Sequence, residues 1–172
     1  MENDDAKVRL EKLERRLNAL DDVQAIHRMV MSYSFALDSG NGDAVRCGWA
    51  ENGIFDRGGG VTFEGAETLA RQVETAEHAR LLEGGLAHFV SAPSIVLDGD
   101  DARATCCNLL IERDGEGFRL KRFTINRWDL RKDAGRWFFV RRVNRLIDGA
   151  ADARMLMRGA SEHVPVSVAE VD

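Results

Sequence analysis

The chain has 172 residues, of which 44% are hydrophobic and 31% charged, and its formal net charge is −5. These values predict one globular domain with a sizeable core, and the acidic balance argues against nucleic acid as the main partner. No stretch is apolar for long enough to predict a membrane span. We expect a cytoplasmic protein, because the charged start MENDDAKVRLEKLERR lacks the apolar segment of a signal peptide.

The first predicted element is an amphipathic helix over residues 1–20. Leu10, Leu13, Leu17 and Leu20 are spaced by three, four and three residues, so they form one apolar seam on an otherwise charged helix. Such a seam must pack against something. A second subunit and the chain's own domain are both suitable partners.

A second helix is expected to begin at Asp21 or Asp22, either of which can cap it, and to end near Leu37 before SGNGD. Apolar residues lie on two sides of this segment, which predicts a helix enclosed between other elements. Asp38 follows at its end. Its carboxylate therefore points inward or lies at the rim of an enclosed space.

The rest of the chain predicts short helices followed by long strands. A helical piece over residues 43–49, a hairpin in ENGIFDRGGGVTFEG and a helix over residues 66–82 come first. Strands over residues 89–97, 102–113, 118–130 and 136–147 follow, separated by DGDD, DGEG and KDAG. This order predicts an α+β fold in which helices pack on one face of a strongly curved antiparallel sheet. Residues 149–172 are expected to form a tail or a lid.

His88 and Asp38 are polar residues where a core is expected. His88 lies in GGLAHFVSAPSIVL, and a titratable group in such surroundings costs several kcal/mol unless it is paired. If the two side chains meet, they form an acid/base dyad, because a carboxylate fixes the tautomer of an imidazole and raises its basicity. His27 cannot replace His88, since eleven helical residues separate it from Asp38 by about 16 Å. The alternatives are a core histidine and a helix-terminal cap.

The order of elements and several local patterns resemble the nuclear transport factor 2-like superfamily over about residues 20–148. The patterns are YSFALDSGNGD, ENGIFDRGGGVTFEG, LAHFV and DAGRWFFVRR. Within it, the chain resembles the SnoaL-like polyketide cyclase and dehydratase branch, which includes scytalone dehydratase and hexachlorocyclohexane dehydrochlorinase. The resemblance implies a cone-shaped domain over residues 21–148 with helices on the concave face of its sheet. Together with the leucine seam, it implies a homodimer or a homotrimer.

The resemblance also implies roles for particular residues. His88 matches the general base of those lyases, and Asp38 matches the aspartate that orients it. Arg142 matches an arginine that stabilises the leaving group, while Tyr33 and Asn108 fall near polar substrate-contacting positions. Tyr33 is this chain's only tyrosine, so the paired tyrosines of the dehydratase are not reproduced.

The residues themselves leave some of these roles open. Arg142 alternates with Val140 and Asn144, so if it faces inward it needs an anion, either a substrate oxygen or an acidic side chain. Tyr33 lies on the apolar stripe of its helix, where core packing is an equal alternative. Trp49 belongs to a set of aromatic residues that would suit an apolar or aromatic substrate. The other members are Phe55, Phe63, Phe89, Phe123, Trp128 and Phe139.

No cofactor or metal is expected. The four histidines show no ligand spacing, and GGG at residues 58–60 is a hairpin turn and not a phosphate-binding loop. Cys47, Cys106 and Cys107 suit neither a disulfide framework nor a zinc site. The sequence therefore predicts a cofactor-independent lyase, a dehydratase or related β-elimination enzyme acting on a small apolar or aromatic ring. An isomerase, a C–C lyase and a non-catalytic binding or accessory subunit of the same fold are the alternatives.

Overall fold

The structure, a computed structural model, describes residues 2–162. The helices in this range are α1 Glu2–Asp38, α2 Gly42–Gly48, α3 Ala66–Val73, α4 Ala76–Glu83 and α5 Ala151–Ser161. The strands are β1 Trp49–Gly58, β2 Val61–Glu64, β3 Leu86–Val90, β4 Ser94–Asp98, β5 Asp101–Asp114, β6 Gly117–Asp133 and β7 Arg136–Leu146. The segment HVPVSVAEVD, which includes His163, lies outside the described residues.

The strands form one sheet in the order β2-β1-β7-β6-β5-β3, and β4 pairs with β5 beyond the end of β3. All pairs are antiparallel except β1 with β7, which is parallel. Register shifts interrupt the long pairings of β6 with both of its neighbours, and such bulges bend and twist a sheet. The predicted α+β fold, with helices on the concave face of a curved sheet, is confirmed.

Helix α1 is continuous from Glu2 to Asp38, so the prediction of a separate helix beginning at Asp21 or Asp22 is wrong. Asp22 instead connects α1 to the sheet. Its Oδ1 accepts hydrogen bonds from Lys132 Nζ at 2.7 Å and Trp137 Nε1 at 2.9 Å. These bonds tie the middle of α1 to the sheet, and the side chains of residues 5–20 before it are exposed.

Two predicted elements are each divided in the structure. The helix expected over residues 66–82 is α3 and α4, because Thr75 caps a new helix by accepting a hydrogen bond from the His78 backbone N–H at 3.1 Å. The strand expected over residues 89–97 is β3 and β4, separated at residues 91–93. Pro93 lies in this gap and has no N–H to donate to a ladder.

An aromatic cluster forms the centre of the core, between α1 and the sheet. Tyr33 packs edge-on against Trp128 and Phe139, with ring centroids 5.0 and 5.6 Å apart. Trp49 joins the cluster and is 3% exposed. This packing holds the last turns of α1 against the concave face.

The C-terminal helix α5 lies against the sheet and not over its concave opening. Arg145 binds both oxygens of Asp56 at 2.8 and 2.9 Å and contacts Asp152 of α5 at 3.1 Å. No residue of α5 lines the cavity described below. The expectation that residues 149–172 form a tail or a lid stays a prediction.

Candidate active site

Asp38 and His88 are in direct contact, although fifty positions separate them in the sequence. His88 Nδ1 lies 2.5 Å from Asp38 Oδ1, and the backbone N–H of His88 donates to Asp38 Oδ2 at 2.7 Å. Both side chains are mostly buried, with 16% and 17% of their surface exposed. An ionised Asp38 accepts a proton-bearing Nδ1, which leaves the lone pair on Nε2. Nε2 has no hydrogen-bond partner among residues 2–162.

Local chain geometry explains this meeting. Helix α1 ends at Asp38, and the chain turns away through Gly40, whose φ of 65° suits glycine. His88 lies in the middle of β3, which packs against this end of α1. The carboxylate at the helix end therefore faces the imidazole on the strand.

The ring of His88 lines a cavity of about 340 Å³ between the sheet and helices α1, α3 and α4. Its apolar walls include Leu37, Phe55, Phe63, Leu81, Leu86 and Leu110. Its polar lining includes Arg57, Glu77, His78, His88, Asn108, Arg122, Thr124, Arg142 and Asn144. A cavity with apolar walls and a few convergent polar groups is typical of a small-molecule site.

A larger and more open groove, of about 770 Å³, lies where α1 and α2 meet the turn between β6 and β7. Its polar lining includes Asp22, Lys132 and Trp137, which already bind one another. None of the histidines among residues 2–162 lines it. The dyad cavity is therefore the better candidate for chemistry.

Arg142 is a buried cation on the floor of the cavity and is 4% exposed. Phe55 and Trp128 are its direct cross-strand neighbours on β1 and β6, and its guanidinium carbon lies 4.5 and 4.4 Å from their ring centroids. Its Nε donates to Asn126 Oδ1 at 2.9 Å. No carboxylate of residues 2–162 pairs with it. Burial lowers the pKa of Arg142 from its usual value, and the aromatic faces partly replace water around the charge.

Two cross-strand polar pairs lie at the floor, where Asn108, Thr124 and Asn144 line the cavity. Asn126 faces Asn144, and Asn108 faces Thr124. Asn144 Nδ2 donates to Asn126 Oδ1 at 2.9 Å and to Thr124 Oγ1 at 3.2 Å. The side-chain oxygens of Asn108 and Asn144 are buried without a partner in the described part of the chain. Buried acceptors of this kind are normally satisfied, so both can receive a hydrogen bond from a bound molecule.

Residues 18–143 match the SnoaL-like domain family. The chain belongs to this family. An NTF2-like protein with a cystatin-like fold from Novosphingobium aromaticivorans is 32% identical, covers 86% of this chain and 96% of its own, and superposes with a TM-score of 0.83.

Two further structures share the fold of this SnoaL-like chain. A candidate scytalone dehydratase from Novosphingobium aromaticivorans is 20% identical, with a TM-score of 0.62, over 75% of this chain and 86% of its own. The hexachlorocyclohexane dehydrochlorinase LinA-type3 from Novosphingobium barchaimii is 16% identical, with a TM-score of 0.66, over 77% and 90%. None of the curated proteins compared with the chain matches its sequence significantly.

The SnoaL-like cavity brings together most of the residues that the sequence singled out. His88, Tyr33, Arg142 and Asn108 all line it, and Asp38 lies directly behind His88. Trp49 does not line it. Its ring is enclosed by the aromatic cluster, so Trp49, which was predicted to contact a substrate, is a core residue in the structure.

Three cavity residues were missed by the sequence analysis. His78, in the charged stretch EHAR that is typical of a solvated helix, donates from Nε2 to the Leu37 carbonyl at 2.8 Å and lines the cavity. Arg57 and Arg122 lie in hydrophilic stretches, FDRGGG and LKRFT, that indicate a solvated surface. Strand alternation places Arg122 on the same face as Thr124 and Arg57 on the same face as Phe55, and all four line the cavity.

The remaining reactive groups do not form a second site. Burial raises the pKa of Cys106 to about 11, so this thiol stays protonated and is a poor nucleophile. In residues 2–162 no three histidine, cysteine or acidic side chains are close enough to hold a metal ion. None of the helices in this range is both long and apolar enough to cross a membrane.

Proposed function

We propose that the chain is a lyase that uses no cofactor and eliminates water or a related leaving group from a small, largely apolar or aromatic ring compound. The observation that carries the proposal is the Asp38–His88 pair, which leaves His88 Nε2 free at a cavity. A neutral imidazole held in this tautomer is suited to accept a proton near pH 7.

The proposed reaction follows from the arrangement of the lining residues. His88 Nε2 takes a proton from a carbon of the ring, and the C–H electron pair forms a double bond to the neighbouring carbon as the leaving group departs. Asp38 stabilises the imidazolium that forms. Arg142 stabilises negative charge on the departing oxygen, and the imidazolium returns its proton to that oxygen to release water.

Tyr33 and Asn108 are proposed as substrate contacts. Tyr33 lines the cavity from α1, with its ring centroid 5.5 Å from the Arg142 guanidinium carbon. The unpartnered Asn108 oxygen suits a substrate hydroxyl. The names of two structural relatives, a candidate dehydratase and a dehydrochlorinase, agree with an elimination.

The same dyad also suits an isomerase, if His88 returns the proton to another carbon, or a C–C lyase. A non-catalytic accessory subunit has less support, because a filled cavity would favour that role, and a small-molecule-binding module is the other alternative. Here the cavity is open beside an unpartnered Nε2.

The test is an activity screen of hydroxylated, halogenated and aryl ring compounds with the wild type, His88→Ala and Asp38→Asn. We expect losses of about 10²–10⁴-fold in both variants. His27→Ala is the matched control, because His27 lies on α1 away from the cavity and should leave turnover unchanged. The product identifies the bond broken, and turnover that survives both dyad substitutions contradicts the proposal.

A second copy of the chain is the proposed partner of the leucine seam. Residues 5–20 of α1 are exposed, and the seam leucines are 53–65% exposed. If Leu10 and Leu17 take a positions and Leu13 and Leu20 d positions, a parallel pair places Arg9 opposite Glu14 and Arg16 opposite Asp21 of the other copy. This charge complementarity supports parallel association of copies through α1, and a homodimer is the simplest such assembly.

A cytoplasmic location is part of the proposal. All three cysteines are free thiols, which suits a reducing compartment.

A further inference from the structure

Arg57 and Arg122 are two cations on the cavity lining that have no partner. Neither forms a hydrogen bond or an ion pair with any residue in the range 2–162. Other arginines of the sheet do have partners: Arg145 binds Asp56, and Arg119 binds Glu112. A structural ion pair therefore does not explain why the partly buried Arg122 faces the cavity, and Arg57, which is exposed, lines the same cavity without an ion pair.

Arg122 lies in the same cross-strand row as His88. Leu110 of β5 pairs with His88 of β3 on one side and with Arg122 of β6 on the other. Two strand spacings separate the backbones of His88 and Arg122 by about 10 Å. A group bound to Arg122 would therefore lie on the same face of the sheet as His88, and this distance leaves room for one ring between Arg122 and His88.

Arg57 and Arg122 are close enough to repel each other. Burial lowers the pKa of Arg122 from its usual value, and the positive charge of Arg57 lowers it further. Arg122 also adds to the depression of the pKa of Arg142. Both arginines line one cavity, so their like charges repel each other, although solvent screens the exposed Arg57, and a bound anion would reduce this repulsion.

The cavity is positive although the whole chain carries −5. Arg57, Arg122 and Arg142 line it, against one lining carboxylate in the described range, Glu77, and of these four side chains Arg57 and Glu77 are exposed. The Asp38 carboxylate lies behind His88, and both of its oxygens accept hydrogen bonds from that residue. A cleft of this sign concentrates anions.

We propose that Arg57 and Arg122 form a carboxylate-binding subsite and that the substrate is a ring compound carrying a carboxylate group. The planar guanidinium fork matches the two oxygens of a carboxylate, so two such groups can hold one acid group from both sides. The subsite fixes the ring against His88 and does not take part in the proton transfer. The inference rests on the proposed function for placing the substrate in this cavity.

The test compares two probes of the same size, 2-naphthoate and its neutral amide 2-naphthamide, by titration calorimetry. We expect the wild type to bind naphthoate at least about tenfold more tightly than naphthamide. Arg122→Gln should remove most of this preference, and Arg57→Gln combined with Arg122→Gln should abolish it. Naphthamide binding should persist in both variants, which also shows that they fold.

Arg80→Gln is the matched control, because Arg80 lies on α4 outside the cavity and its loss changes the net charge equally. The preference for naphthoate should survive in this variant. Equal affinity of the wild type for both probes overturns the proposal, and so does an unchanged preference in the double variant.

The dyad variants separate this proposal from the proposed function. His88→Ala should keep the preference for naphthoate while losing turnover. A preference that depends on both arginines, in a wild type that turns over none of the screened compounds, supports the subsite and contradicts the lyase. Turnover of neutral rings without any preference for the acid contradicts the subsite alone.

Discussion

Asp38 binds His88 through both of its carboxylate oxygens, one to the ring and one to the backbone N–H. The hydrogen bond to the backbone N–H holds β3 against the end of α1. The hydrogen bond to the ring fixes which nitrogen of His88 carries the proton. One carboxylate therefore positions the strand and selects the tautomer of its histidine.

Asp38→Asn should lower turnover by about 10²–10⁴-fold and the free energy of unfolding by about 1–3 kcal/mol. An amide offers one acceptor oxygen where the carboxylate offers two, and it no longer stabilises an imidazolium. Nitrogen-15 NMR of the wild type should show the proton on His88 Nδ1. Asp98→Asn, at an exposed strand end, is the control. A wild-type proton on Nε2 would contradict the assignment of His88 as a base.

Arg142→Met should leave the free energy of unfolding within about 1 kcal/mol of the wild type, or raise it, while turnover falls by at least about 100-fold. The buried cation has no carboxylate to lose, and Asn126 Oδ1 keeps its hydrogen bond from Asn144. Chemical denaturation and initial rates measure the two effects. Arg141→Met, on the exposed neighbour, should change neither. Strong destabilisation by Arg142→Met would show that the arginine is held for structure.

Asp56→Asn should lower the free energy of unfolding at pH 7 by about 1–2 kcal/mol, because it breaks the paired contact with Arg145. The hydrogen bonds from Arg145 lower the pKa of Asp56 below its model-compound value of 3.8. A depressed folded-state pKa contributes stability above the unfolded pKa, and that stability is lost as the pH falls through the folded value.

Denaturation curves from pH 7 to pH 3 check this dependence on pH. The difference between wild type and Asp56→Asn should be constant down to about pH 4 and shrink below it. A difference that grows on acidification would reverse the assigned sign.

Leu13→Gln with Leu17→Gln should convert a dimer to monomers, since it removes the centre of the seam on α1. Sedimentation velocity measures the outcome. The matched control is Lys12→Gln with Arg15→Gln, on the outer face of the same turns, which should stay dimeric. A wild type that sediments as a monomer at micromolar concentration contradicts the proposed partner.

The sequence predicted the dyad because each member is polar in an apolar segment, a signal that needs no tertiary information. Arg57, Arg122 and His78 were missed for the opposite reason, since each lies among other polar residues. Asp22 was predicted to cap a helix because its local sequence does not show that its carboxylate binds Lys132, which is far away along the chain. For an apolar residue such as Trp49, the sequence does not show whether the side chain lines a cavity or packs in the core.

Leu20 and Asp38 lie on one unbroken helix, about 27 Å apart at 1.5 Å per residue. No loop between them can absorb a change in the direction of the N-terminal end. A tilt of that end is therefore transmitted along α1 to the contacts that Asp22 and Tyr33 make with the sheet. A flexible insertion near residue 21 would separate the two ends mechanically. The length and continuity of α1 thus connect whatever holds the far end of the helix to the turn that carries Asp38.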